Sequence, residues 1–179
     1  QAAGFYNTLL KGYEPALVIE PLKGYYVREK LPENIGEYCI PLGLSEVVLE
    51  GTDLSLVTYG WNVTIAMEAA AILGSMGVSV EIIDIQTLAP FDTTHLITQS
   101  LLKTNHLVLL DEDVPGGGTG YMLQKILAQE AAFYALDSQP LVISAKDHRG
   151  AYGTDGEYFS KPNVDLVVEE VFGMMRGRG

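Results

Sequence analysis

From Leu44 to Met175, short and almost continuously apolar runs alternate with longer segments whose apolar residues recur at helical spacing. The runs Glu46–Glu50, Leu54–Tyr59, Val78–Ile85, His106–Leu110 and Leu141–Ala145 read as strands. Between them, Asn62 is placed to cap a helix carrying Ile65, Ala69, Ile72, Leu73 and Met76, and Gly77 stands at its C-cap. A second helix opens at Asp92 or Thr93 and carries Leu96, Ile97, Leu101 and Leu102. A third spans Thr119–Ala135, and a last one Asn163–Met175, with Asn163 or Asp165 near its start. Parallel strands need helical crossovers, and strands covered on both faces read as unbroken apolar runs. The alternation therefore predicts an α/β fold, a three-layer α/β/α sandwich with a mostly parallel five-stranded sheet.

The residues before Leu44 have a different character. Ala2–Leu10 reads as a short helix and Ala16–Glu20 as a strand. Then Pro21, Lys23, Gly24, Arg28, Glu29, Lys30, Pro32, Glu33, Asn34 and Gly36 crowd an irregular stretch that reads as a linker or surface arm. An isolated helix and strand cannot bury their apolar faces alone. This segment is expected to be the tail of a domain whose beginning is missing, and the start at Gln1 rather than Met fits a truncated or processed chain. The division expected is a domain remnant over 1–24, a linker arm over 25–43 and a domain over 44–179. The closing Arg176-Gly-Arg-Gly reads as a frayed end.

With 179 residues, 47% of them apolar, the chain can build a real core. Its net charge of −12 repels phosphate backbones, which argues against nucleic acid and favours a basic protein module as partner. Cys39 is the single cysteine, so an internal disulfide is impossible and a reducing, cytoplasmic setting is expected. No apolar run approaches the roughly 20 residues of a membrane span, and Gln1–Leu10 has neither the basic start nor the apolar stretch of a signal peptide.

The Gly-rich stretch Asp111–Gly120 joins a strand to a helix, a place where backbone amides can hold an anion. Its spacing matches neither GxxxxGK[ST] nor GxGxxG, since Leu123 falls where a small residue belongs, and three carboxylates flank it. A structural turn at a strand end, at a subunit contact, is the reading preferred. Asp111, Glu112 and Asp113 are consecutive, and neighbours in a strand point to opposite faces. A solvated strand end therefore fits them better than a Mg²⁺ or Ca²⁺ site. His95, His106 and His148 lack a second histidine at metal-ligand spacing; His148, in Lys146-Asp-His-Arg-Gly150, reads as a polar loop residue. There is no GxSxG, Cys39 has no evident general base, and Tyr25-Tyr26 is expected to pack the arm onto the domain.

The order of motifs resembles a known family. It runs through Asn7-Thr-Leu-Leu-Lys-Gly-Tyr-Glu-Pro-Ala-Leu-Val-Ile-Glu-Pro21, Ile40-Pro-Leu-Gly-Leu-Ser-Glu-Val-Val48 and Gly51-Thr-Asp-Leu-Ser-Leu-Val-Thr-Tyr-Gly60. It continues through Glu68-Ala-Ala, Val80-Glu-Ile-Ile-Asp-Ile-Gln-Thr-Leu-Ala-Pro-Phe-Asp92, Lys103-Thr-Asn-His-Leu-Val108 and Gly116-Gly-Gly-Thr-Gly120. Together these resemble the carboxy-terminal part of the beta subunit, or beta half, of thiamine-diphosphate-dependent 2-oxo acid dehydrogenases of the pyruvate and branched-chain types. Gln86 stands where that family commonly has arginine, and Lys146–Tyr152 departs from its Gly-x-Asp-x-Pro-x-Pro loop.

The resemblance implies a parent that decarboxylates a 2-oxo acid and passes the acyl group to a lipoyl arm. The cofactor's ylid does the chemistry. Thiamine diphosphate and Mg²⁺ would sit between pyrophosphate- and pyrimidine-binding domains, outside this domain. No catalytic or cofactor-binding residue is therefore assigned, and the chain alone is expected to be inactive. Two minor sites carry over: a monovalent cation, K⁺, at Leu9, Gly12 and Glu14, where Glu14 replaces a common asparagine, and a partner contact at Asp137 for a basic module of the acyltransferase core. The other partners implied are the remaining domains of the dehydrogenase, in a homodimer or heterotetramer. A transketolase or deoxyxylulose-phosphate synthase is the first alternative, disfavoured because Arg28 and Arg149 are the only interior arginines available for a sugar phosphate. A non-enzymatic assembly module and a free-standing nucleotide-binding domain are the others.

Overall fold

The computed structural model describes residues 1–177 except 29, 32 and 151. Those three and the final Arg178-Gly179 lie outside the described residues, so the reading of the last residues as a frayed end is not addressed.

The sheet has five strands: β1 (Glu46–Leu49), β2 (Leu54–Thr58), β3 (Val80–Asp84), β4 (Leu107–Leu110) and β5 (Leu141–Ile143), in the order β1-β3-β2-β4-β5. Only β1 runs antiparallel, along β3. β2 pairs in parallel with β3 (Leu54↔Val80) and with β4 (Ser55↔Leu107), and β4 with β5 (Val108↔Leu141). The helices are α1 (Ala2–Leu10), α2 (Asn62–Ser75), α3 (Leu96–Thr104), α4 (Gly118–Leu127), α5 (Glu130–Ala135), α6 (Gly153–Ser160) and α7 (Val164–Met175). The expected mostly parallel α/β/α sandwich is what forms.

Strand side chains alternate between two cores. Leu54, Leu56, Ile82, Val108 and Leu110 pack with Ala66, Ala69 and Leu73 of α2 and Val167 and Val171 of α7. Val57, Ile83, Leu107 and Leu109 pack with Ile97 and Leu101 of α3, Met122 and Ile126 of α4, and Ala132 and Ala135 of α5. Each fully buried Leu or Ile contributes roughly 1.5–3 kcal/mol.

Several local expectations need correction. Ala16–Glu20 forms no strand; a strand exists by pairing, and no described strand lies beside it, which leaves Leu17 and Ile19 exposed. Asn62 does not cap α2: Gly60, at φ +61, turns the chain one residue earlier, so Trp61 is the N-cap and Asn62 is the buried first helical residue. The buried stripe of α2 is Ala66, Ala69, Ala70 and Leu73, with the three small alanines letting it lie close to α7, while Ile72 and Met76 are exposed. The helix expected over 119–135 is two: Gln129 adopts extended geometry and accepts a hydrogen bond from Thr98, and α5 turns to pack on α3. α6, which contains Gly153, Thr154, Asp155 and Gly156, forms although its sequence has no helical apolar period.

Other expectations hold. Gly77 has φ +84 just beyond α2, and Val78 N donates to Leu73 O at 3.0 Å. Asn163 is the N-cap of α7 and its side chain accepts from Leu166 N at 2.9 Å. Asp92 lies before α3, whose N-cap is His95, but its carboxylate accepts from Leu96 N at 3.1 Å and Ile97 N at 3.0 Å.

α1 is tied to the segment that returns to the domain. Asn7 Nδ2 donates to the carbonyls of Ile35 and Tyr38, both at 2.7 Å, and Thr8 Oγ1 donates to Ile40 O at 2.6 Å. Residues 13–31 form an excursion between these points, with a 3₁₀ turn over Leu22–Tyr26. Tyr25 and Tyr26 do not pack onto the domain; both are exposed, and the Tyr25 hydroxyl donates to Glu20 instead.

Candidate functional site

In an open parallel sheet, the natural ligand crevice lies at the carboxyl ends of neighbouring strands whose following helices depart to opposite faces. Here those strands are β2 and β4, because the chain leaves β2 through α2 for β3 on one side and leaves β4 through α4 for β5 on the other, with α2 and α4 in opposite cores. Tyr59–Asn62 and Asp111–Thr119 flank the crevice.

It is filled from within. The Tyr59 hydroxyl donates to Asp111 Oδ2 at 2.9 Å, bridging the two loops. Asp111 Oδ1 accepts from Glu112 N at 2.8 Å. Asp113 accepts from Val114 N at 2.8 Å and, through Oδ2, from Gly118 N at 3.3 Å. The glycines are needed for close approach: a Cβ on Gly117 would lie 2.0 Å from Asp113 Oδ2, and one on Gly118 2.1 Å from Asp111 Oδ2. The Gly118 amide at the start of α4 is thus turned toward the chain's own Asp113 carboxylate. A diphosphate would meet negative charge in the place of free donors. The Gly-rich stretch is a structural turn, as its spacing suggested.

Asp111 is not a solvated strand end. It is 2% exposed, and burial raises its carboxyl pKa above the usual range while hydrogen bonds from Tyr59 and Glu112 pull the other way. Burial, then the Asp111 charge, likewise pushes the Tyr59 phenol up. Thr119 Oγ1, in the first turn of α4, is buried without a partner among the described residues. Glu112 and Asp113 do face solvent, with Glu112 2.9 Å from Lys161 Nζ. Among the described residues no group of three or more His, Cys, Asp and Glu side chains is placed to hold a metal ion, these three carboxylates included. This donor set fits neither thiamine diphosphate nor Mg²⁺.

The remaining candidates are dispersed. His95 and His148 are exposed, and His106 is half-buried with Nδ1 3.1 Å from Thr104 O. Cys39 Sγ accepts from Lys11 Nζ at 3.1 Å, a contact that spacing alone could not reveal. Leu9, Gly12 and Glu14 lie around the end of α1, where Leu9 O already accepts from Gly12 N at 3.0 Å and Glu14 is exposed.

Asp137 has a more suggestive setting. It is exposed just after α5, with its amide bonded to Asn105 O at 3.0 Å. Beside it Leu127, Phe133, Tyr134, Leu136 and Pro140 line a groove of about 350 Å³. Phe133 and Tyr134 stack edge to face, 5.3 Å apart, and both are exposed.

Residues 43–163 match the family described as "Transketolase, C-terminal domain". The chain belongs to that family.

The relatives narrow the setting of this transketolase C-terminal domain. It is 32% identical over 170 residues to the pyruvate dehydrogenase E1 component subunit beta of Rhizobium meliloti, across 95% of this chain and 36% of that protein. To the corresponding subunit of Chlorokybus atmophyticus it is 31% identical over 174 residues, across 97% and 51%. The beta subunit of an acetoin:2,6-dichlorophenolindophenol oxidoreductase from Cupriavidus necator is 35% identical over 122 residues, across 68% and 35%. The chain thus spans between about a third and a half of the length of the curated relatives it matches. Among solved structures, a split gene transketolase described as an inactive beta4 tetramer superposes with a TM-score of 0.64 at 23% identity, over 79% of this chain and 44% of that one; that likeness concerns the fold.

Within the domain, the Val80–Asp92 run is structural. Its first residues form β3 and its terminal aspartate caps α3. No helix among the described residues is long and apolar enough to cross a membrane.

Proposed function

We propose that the chain is the carboxy-terminal part of the decarboxylating component of a 2-oxo acid dehydrogenase complex, and that it serves subunit association and docking to the acyltransferase core. The observation that carries the reading is the row of Tyr13, Leu17, Ile19, Leu22, Tyr26 and Leu31, all exposed along the one segment 13–31. Apolar surface this extended marks a place made to be covered. The kinship with pyruvate dehydrogenase beta subunits along nearly the whole chain supports the identity of what covers it. In this reading residues 1–24 end the pyrimidine-binding domain, 25–43 are an arm and 44–179 are the transketolase C-terminal domain.

The parent decarboxylates a 2-oxo acid and hands the acyl group to a lipoyl arm, as a homodimer or heterotetramer. Thiamine diphosphate and Mg²⁺ are held by its other domains, and this chain alone is inactive. The crevice between β2 and β4, occupied by the chain's own Tyr59–Asp111 and Asp113–Gly118 bonds, supports that division of labour. Asp137, beside its aromatic groove, meets a basic module of the acyltransferase core; the charge of −12 favours such an encounter. A monovalent cation at Leu9, Gly12 and Glu14 and a cytoplasmic location belong to the same reading.

Co-sedimentation tests the association. The chain mixed with the separately produced remainder of the beta subunit should sediment as one species, and replacing Leu17 and Ile19 by Ser should abolish that without lowering the melting temperature. Two separate boundaries for the unaltered pair would refute the reading.

A further inference from the structure

The excursion 13–31 is clamped at both ends but lacks an apolar seat. Its large apolar side chains, Tyr25 and Val27 among them, are exposed, so something polar sets where it lies. Among the described residues, two polar links tie it to the rest of the chain. Glu20 accepts from the Tyr6 hydroxyl of α1 at 2.7 Å and also from Tyr25. Lys23 Nζ lies 3.0 Å from Glu157 Oε1 of α6.

The second link continues into the domain. Lys161 Nζ stands 3.8 Å from the same Glu157 oxygen and 2.9 Å from Glu112 Oε2. Alternating charges thus run from the arm (Lys23) through α6 (Glu157) and the loop after it (Lys161) to the turn after β4 (Glu112). The Lys23 ammonium holds the Glu157 carboxyl below its ordinary pKa, and Glu112 raises that of Lys161.

We propose that this four-residue relay is a latch that sets the placement of the arm against the carboxyl edge of the sheet, and that ionic strength and charge release it. All four side chains are partly exposed, so each link is weak and screened by salt. A segment whose apolar side is meant for a partner needs such a hold, firm enough to present that side and weak enough to yield on contact. The inference rests on the proposed association only for what the arm then meets; the latch itself is intramolecular.

Limited chymotrypsin digestion of the full 179-residue chain at low salt, following cleavage after Tyr25 and Tyr26 by mass spectrometry, tests it. Lys23→Gln and Glu157→Gln should each speed cleavage about two- to five-fold, the range expected of exposed ion pairs. The double variant should cut no faster than either single one, because both remove the same link. Raising salt should bring the wild-type rate to that of the variants. Wild-type rates in the single variants, effects that multiply in the double variant, or no response of the wild type to salt would overturn the latch. Parallel acceleration at sites outside the arm would also overturn it, since that reports general unfolding.

Discussion

The Tyr59 hydroxyl reaches Asp111 Oδ2 at 2.9 Å across the gap between β2 and β4, and the pair occupies the crevice where this class of sheet ordinarily receives a ligand. Tyr59→Phe removes the donor and leaves a buried carboxylate short of a partner. Denaturant unfolding should show a loss of about 1–3 kcal/mol. An unchanged midpoint would mean that the pair contributes little to closing the crevice.

Asp111 also carries a pH signature. Burial raises its folded pKa above the ordinary aspartate value, so the folded chain binds its proton more tightly than the unfolded chain does. Stability from this group is therefore present below the ordinary aspartate range, falls as pH rises from there through the raised value, and is flat above it. Asp111→Asn should flatten that part of the stability–pH curve relative to wild type. Parallel curves would contradict the assignment.

Two glycines two residues apart should behave oppositely: α4 begins at Gly118, and Gly120 lies within its first turn. A Cβ on Gly118 collides with Asp111 and comes within 2.8 Å of the Tyr59 oxygen, whereas one on Gly120 meets nothing within 4 Å. Gly118→Ala should cost about 1–3 kcal/mol by overpacking. Gly120→Ala should gain roughly 0.5–1 kcal/mol from helix propensity. Melting temperatures that move in the same direction would show the turn to be less constrained.

At the opposite edge of the sheet, Lys103 bonds to the carboxylate of Glu81, a side chain only 2% exposed that also accepts from Ser100. Burial alone would raise the Glu81 pKa, yet the bonds from Lys103 and Ser100 outweigh it and hold it low. Its contribution is thus present above the ordinary glutamate range and lost as pH falls through the depressed value. Lys103→Met should cost about 1–2 kcal/mol at neutral pH, less than a fully buried pair because the lysine is half-exposed. It should also reduce the acid-side loss of stability, which thermal melts between pH ~3 and ~7 would read.

The proposed cation site makes a separate demand. If Leu9 and Gly12 carbonyls with Glu14 hold K⁺, KCl should raise the melting temperature of the amino-terminal segment above its value in equimolar NaCl, and Glu14→Ala should erase the difference. Equal melting in both salts would remove the site.

The sheet was legible because its strands are covered on both faces, a pattern that Leu107–Leu110 shows without interruption and Leu54–Thr58 shows with only Ser55 and Thr58 polar. The Val80–Asp92 run and its collinear companions made the family legible. What escaped was decided by tertiary contacts. Gln129 breaks a helical stretch through a bond to Thr98, α6 has no apolar period to read, and Ala16–Glu20 has strand-like residues without a strand to pair with. In the site, the wrong glycine spacing correctly excluded a nucleotide loop, but the burial of Asp111 was invisible because its partner Tyr59 lies 52 residues away. The exposed Phe133–Tyr134 pair beside Asp137 likewise gave no signal, since aromatic residues on a helix ordinarily read as core.

The most direct test of the central claim compares this chain with one extended at its amino end by the domains that the proposed function assigns to the parent. Calorimetry would measure binding of thiamine diphosphate with Mg²⁺, and an artificial electron acceptor would report decarboxylation of pyruvate and of branched 2-oxo acids. The account predicts that, supplied with the companion subunit where the two are separate, the extended chain binds the cofactor and turns over a 2-oxo acid while this chain does neither. Binding and turnover by this chain alone, or an extended chain that acts only on sugar phosphates, would contradict it.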